Sequence, residues 1–254
     1  MSIVSPYFQI PNSIIHYACS NASIPDYNPM LLPVFLYSAV NMQYHNQYKV
    51  DTNLSLIAST FDYSNSQAWK HARDALKILY NGYNITVPLS NGKLREISIP
   101  PSIDYKMHID NVSKTDRIEY YFLARAYDYK EGSNLDGYTT FYHHEYNYLI
   151  DQISYANPES PNNINLIDLL TIYCYLKSRI QYYSNLSQRK GEFIHYSFNQ
   201  TLDTISNNIG LGKSIVTRSI NYLQQIGLID FIRPDTGQRN ARIYILSDKW
   251  KSLI

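Results

Sequence analysis

Gly212, Lys213 and Ser214 stand in the order that closes a phosphate-binding loop, and they pose the first chemical question of this 254-residue chain. Such a loop, G-x-x-x-x-G-K-[ST], needs its first glycine so that successive backbone N–H groups can curl around a phosphate. Counting back from Gly212, that glycine belongs at position 207, which is Asn207. The loop must also follow a buried strand. Here TLDTISNNI, Thr201 to Ile209, sets Leu202, Ile205 and Ile209 at helical spacing behind Thr201 or Asn199 as a cap. The residues argue against a nucleotide site.

His143, His144 and Glu145 form a second group of chemically capable side chains. Neighbours on a strand project to opposite faces, so the two histidines are poorly placed to share an ion, and no H-E-x-x-H or CxxC spacing supplies further ligands. The pair also lacks the intervening residue of the His-hydrophobic-His motif of rolling-circle nickases. Neither G-x-S-x-G nor a dinucleotide fingerprint occurs, and Cys19 and Cys174 are too few for a disulfide scaffold. The expectation is a chain without catalytic residues, metal or cofactor.

The elements that carry the GKS residues give them another meaning. One short helix ends at Asn207 or Asn208, Gly210 supplies a tight turn, and a second helix runs from about Lys213 to Gln225. Val216, Ile220 and Leu223 make an apolar stripe that packs on Leu202, Ile205 and Ile209. The opposite flank carries Lys213, Ser214, Thr217, Arg218 and Asn221, side chains able to reach phosphates and base edges. Beyond it GLIDFIR, Gly227 to Arg233, predicts a strand opened by a helix-ending glycine, PDTGQRN a turn, and ARIYILS, Ala241 to Ser247, a returning strand. Arg233, Arg239 and Arg242 lie in or beside that hairpin, the place where it would meet a minor groove or a phosphate backbone.

In this order of elements, Thr201 to Leu246 resembles the winged helix-turn-helix family of bacterial DNA-binding regulators. Charge supports the resemblance. Arg189 to Ile254 holds nine lysines and arginines against five aspartates and glutamates, while the other 188 residues hold 13 against 16. A local basic surplus steers a domain to phosphates and makes its binding salt-dependent.

The same pattern recurs 148 residues earlier. Ile205, Ile209, Val216, Ile220 and Leu223 correspond to Ile57, Phe61, Ala68, Ala72 and Ala75, all apolar. The repeat predicts a short helix near Thr52 to Phe61, a turn at Asp62 to Ser64 and a longer helix near Asn65 to Tyr80. Its outward positions include Asn65, Ser66, Trp69, Lys70 and Arg73. YNITVPL, SNGK and LREISI form a second candidate hairpin over Tyr83 to Ile99, and scaffold helices precede each half at about Met30 to Tyr44 and Ile164 to Tyr183. Alanines replace larger core residues in this first repeat, and Asp74 stands among its basic groups, so DNA contact and dimerisation are both open to it.

Between the repeats the periodicity is poor. IEYYFLARAYDY, Ile118 to Tyr129, fits a strand or a short helix, and DGYTTFYHHEYNYLIDQIS starts strand-like and ends helical. NPESPNN, Asn157 to Asn163, is a break. The expected architecture is α+β and mainly helical: two winged-helix units in tandem with a mixed connecting region, divided as residues 1–105, 106–160 and 161–254. The opening residues lack a basic region followed by a long apolar run, and no stretch approaches a membrane span, so a cytoplasmic protein is expected.

The resemblance implies sequence-specific binding of double-stranded DNA, commonly as a homodimer, without membrane attachment. Transcription regulation in a bacterium or mobile element is one role. A plasmid or phage replication initiator is another, since two winged helices in about 250 residues also resemble theta-type initiators, and YFQIPNSII, Tyr7 to Ile15, is similar to their openings. A winged-helix module that contacts partner proteins is the third.

Overall fold

The computed structural model describes residues 7–19, 27–44, 49–61, 66–88, 94–105, 109–123, 137–153, 164–189, 197–232 and 241–249. It is a mixed α/β structure with small sheets, and it divides into two units: residues 1–18 with 23–140, and residues 19–22 with 141–254. The break falls after Thr140 instead of within Asn157 to Asn163. The segment expected to connect the halves, 106–160, is therefore shared between them. No helix among the described residues is long and apolar enough to cross a membrane.

The first unit runs β1 (Tyr7–Pro11), α1 (Asn12–Cys19), α2 (Leu31–Tyr44), β2 (Lys49–Thr52), α3 (Leu54–Thr60), α4 (Ala68–Asn81), β3 (Tyr83–Pro88), β4 (Leu94–Ile99), β5 (Ile103–Tyr105) and β6 (Ile118–Phe122). The strand β7 (Tyr138–Tyr142) pairs with β1. The helix α2 is buried along most of its length, with Leu31, Leu32, Val34, Phe35 and Leu36 at its start; Pro33 is tolerated because first-turn amides have no partner inside the helix. The Asn53 side chain caps α3 by accepting the Leu56 N–H. Ala68, Ala72 and Ala75 form the inner stripe of α4 against Ile57 and Phe61, all of them buried. The small alanines let the two helices approach closely. The hairpin β3–β4 stands as its own two-stranded sheet, while β2 pairs with β6 in a sheet of order β2-β6-β5.

The second unit contains α5 (His143–Ile153), α6 (Leu166–Arg189), β8 (Ser197–Thr201), α7 (Leu202–Ile209), α8 (Lys213–Gln225), β9 (Ile229–Ile232) and β10 (Ala241–Leu246). Its sheet has the antiparallel order β8-β10-β9, with Ala241 opposite Thr201 and Tyr244 opposite Phe231. Thr201 caps α7 by accepting the Thr204 N–H, at the position 148 residues after Asn53. Ile205, Ile209, Val216, Ile220 and Leu223 are all buried, as are their five counterparts in the first unit. The offset seen in the sequence is a repeat of helix pairing.

Differences from expectation lie at strand level. β2 and β8, which precede the two short helices, carry too few apolar residues to signal a strand. They are held by backbone pairing with β6 and β10. Of Ile118 to Tyr129, Ile118 to Phe122 is strand, and residues 124–129 lie outside the described residues. Strand gives way to helix at His143, so the two histidines open α5 and do not sit on a strand; His143 is buried and His144 exposed.

Candidate nucleic-acid interface

The turn between α7 and α8 is made by Gly210, whose φ of 66° lies in the left-handed region that a side chain makes costly. The Ser206 hydroxyl donates to the Leu211 carbonyl and ties the turn to α7. Gly212 is different. It caps α8 with φ −60° and ψ 140°, and a Cβ there would meet nothing within 4 Å. The expected bend therefore belongs to Gly210 alone. The helix preceding the GKS residues, α7, stands where a phosphate loop would require a strand.

Along α8 the inner face is Val216, Ser219, Ile220, Tyr222 and Leu223, all buried. The outer flank presents Lys213, Ser214, Arg218 and Asn221 as exposed side chains and Thr217 as half-buried. From residue 213 to 221 this row spans about 12 Å of helix axis, close to the width of a major groove. No aspartate or glutamate occurs between Asp203 and Asp230. Lys213 Nζ lies 2.7 Å from Asp203 Oδ1. Thr217 Oγ1 donates to the Lys213 carbonyl at 2.7 Å, and Arg218 Nε to the Ser214 carbonyl at 3.3 Å. Both bonds stay within the helix and leave the Arg218 guanidinium without an ion pair among the described residues.

The far end of α8 closes with Gly227 at φ 74°. The Gly227 N–H donates to the Gln224 carbonyl and the Leu228 N–H to the Leu223 carbonyl, each at 3.0 Å, the paired bonds that end a helix on a left-handed glycine. Asp230, at the start of the hairpin, accepts from Gln224 Nε2 at 2.8 Å, from its neighbour's Phe231 N–H at 2.9 Å and from Lys249 Nζ at 2.9 Å. These donors hold its carboxyl below the usual 3.8. The hairpin is thereby fastened to the last turn of α8.

The hairpin arginines divide. Arg233 and Arg239 lie outside the described residues. Arg242 does not face outward as expected: it is buried, with Cζ 4.2 Å from the centroid of the Phe231 ring and Nη1 without a hydrogen-bond partner among the described residues. On β10 it shares a face with Tyr244, which is fully buried. Arg242 is thus a packing residue of the hairpin and leaves the set of exposed cations.

In the first unit, Asn65 lies outside the described residues, while Ser66 and Lys70 are exposed. Lys70 Nζ is 5.7 Å from the Trp69 ring centroid. Arg73 is drawn aside: Nη1 donates to the Asp110 carbonyl at 3.3 Å, Nε is 3.6 Å from Asp74 Oδ1, and Cζ is 5.5 Å from the Trp69 ring. Lys77 pairs with Asp110 and stands 3.9 Å from Asp74. Acidic partners meet Arg73 and Lys77 on this helix, whereas on α8 Lys213 meets Asp203 and Arg218 has no ion pair among the described residues. Among the described residues no group of three His, Cys, Asp or Glu side chains could hold a metal ion.

Sequence reasoning weighed Glu145 only beside the two histidines and passed over Lys177; the two form an ion pair in the interior of the second unit, with the Tyr173 hydroxyl donating to the same carboxylate. Burial presses the Lys177 ammonium toward its neutral form and Glu145 opposes that. Its sequence signal is a lysine directly after Leu169 to Leu176 of α6, a run in which Thr171 is the one residue that is not apolar. No family model matches the chain, and no curated protein matches it significantly.

Proposed function

We propose that the second unit is a winged helix that binds double-stranded DNA, with α8 in the major groove and the β9–β10 hairpin beside it. The observation that carries this reading is the outer flank of α8, where cationic and hydrogen-bonding side chains stand in one row, four of the five exposed, on a helix that has no carboxylate of its own; Asp203 of α7 meets Lys213 at its start. Lys213 supplies a mobile charge for phosphate, and Arg218 a fork for phosphate or for guanine O6 and N7. Ser214 and Thr217 suit phosphate or base contacts, and Asn221 suits adenine N6 and N7.

A replication-initiator role is the second reading, favoured by the repetition of cap, short helix, long helix and hairpin at an offset of 148 residues. A chain with two such units suits tandem repeats at an origin as well as a promoter operator. Within the first unit, the pairing of Arg73 and Lys77 with Asp74 and Asp110 favours a contact other than phosphate. Dimerisation is the use that fits it.

A gel-shift titration of Arg218→Ala tests the assignment. Loss of about 1–3 kcal/mol of specific binding is expected if Arg218 pairs with a base; a titration identical to wild type contradicts the placement of α8. Footprinting separates the roles, because direct repeats at an origin mark an initiator and a promoter operator marks a regulator.

A further inference from the structure

Two tyrosines join α5 and α8 in opposite directions. The Tyr148 hydroxyl, on α5, donates to the carbonyl of Ile226, the residue that caps the end of α8, at 2.9 Å. The Tyr222 hydroxyl, in the last turn of α8, donates to the carbonyl of Gln152, the penultimate residue of α5, at 2.9 Å. Terminal carbonyls have no partner within their own helix. Each helix therefore closes the end of the other, and both tyrosines are buried in doing so.

The opposite end of α5 is fixed as well. Glu145, in its first turn, accepts the Lys177 ammonium and the Tyr173 hydroxyl from α6, and its second oxygen accepts the Tyr142 N–H at 3.2 Å. Lys177 Nζ also lies 4.4 Å from the Phe141 ring centroid. A buried ion pair tolerates one arrangement, because shifting either partner strands a charge away from water. α5 thus reaches from the scaffold helix α6 to the last turn of α8, held at each end by directional polar contacts.

We propose that α5 is a brace that sets the orientation of α8, and that Tyr148 and Tyr222 are positioning residues for base recognition by its outer flank; this rests on the DNA-binding reading above. Base-edge hydrogen bonds demand placement within about 0.5 Å. Contacts of long cationic side chains with phosphates follow charge and adapt. Loosening the brace therefore costs discrimination between sequences and spares charge-driven affinity.

The test uses the full chain as Tyr148→Phe, Tyr222→Phe and the double variant, with Tyr142→Phe as control, since Tyr142 is exposed. The probes are the duplex most enriched from a random pool and an unselected duplex of equal length. The double variant is expected to lose about tenfold in affinity for the enriched duplex, with affinity for the unselected duplex and the salt slope unchanged. Tyr142→Phe should match wild type. Without DNA, hydrogen exchange of the amides from Leu223 to Ile226 should quicken in the double variant while α7 keeps its protection. A folded double variant with an unchanged affinity ratio overturns the positioning role, and unchanged exchange overturns the brace. If the double variant fails to fold, each single variant carries the same readouts. Wild type that binds neither duplex removes the DNA reading and the positioning role with it, while exchange still decides whether α5 braces α8.

Discussion

The Lys213 ammonium at the start of α8 stands 2.7 Å from the Asp203 carboxylate of α7, across the turn made by Gly210. Both side chains are more than half exposed, at 57% and 58%, so the pair contributes little to folding. A phosphate approaching Lys213 has to displace that carboxylate. Asp203→Asn should therefore raise DNA affinity several-fold at low salt and change folding free energy by less than about 0.5 kcal/mol. Fluorescence anisotropy titrations at two salt concentrations check this; weaker binding by the variant contradicts it.

The two glycines of the turn should separate cleanly. Gly210→Ala forces a side chain into the left-handed region at φ 66° and should cost about 1 kcal/mol or more. Gly212→Ala, at φ −60° with open space around the new Cβ, should leave stability nearly unchanged. Denaturant midpoints measure both. Equal losses would contradict the assignment of the bend to Gly210.

Arg242 should behave as a core residue and not as a DNA contact. Arg242→Ala removes the stem and the guanidinium that cover Phe231, so a loss of about 1–2 kcal/mol in stability is expected. The slope of log affinity against log salt should stay at the wild-type value. A slope reduced by about one unit would place Arg242 on a phosphate.

The helix pairs were legible because ten apolar positions, at the same offset, had to be buried for either helix to form. Caps and closing glycines were legible for a local reason: Thr201 and Gly227 act on their own neighbours. The burial of Arg242 was not legible, since the apolar row of ARIYILS is Ala241, Ile243 and Ile245, and alternation alone puts Arg242 on the polar side. The register against β8 and β9, which only the fold supplies, puts Arg242 on the covered face with Tyr244. Capture of Arg73 by Asp110 is equally non-local, 37 residues apart. The reach of α5 to α8 depends on side chains 78 and 70 residues from their acceptors, and neither tyrosine differs in sequence from the other 24.

Asp230 gives the fold a pH dependence of known sign. Its carboxyl titrates below 3.8 when folded, through the bonds from Lys249, Gln224 and Phe231. Over that window the unfolded chain binds more protons, so stability rises with pH. The contribution is complete above the unfolded value and is lost as pH falls through the folded one. Asp230→Asn should then lower stability at pH 7 by under about 1 kcal/mol, given the exposure of the site, and the difference from wild type should vanish near pH 2. Melting curves of both proteins across pH 2 to 7 check this; a difference that grows toward low pH contradicts it.

Repeated selection from a random duplex pool at roughly physiological salt, followed by titration of the enriched duplex with wild type and Arg218→Ala, tests the outer flank of α8 most directly. If α8 reads bases, an enriched motif should emerge, bound more tightly than unselected duplex by about 10³-fold or more, on the scale typical of specific DNA-binding proteins, with the preference relaxed in the variant at one position. A pool that emerges without a motif, or a motif that Arg218→Ala reads as well as wild type, would contradict it.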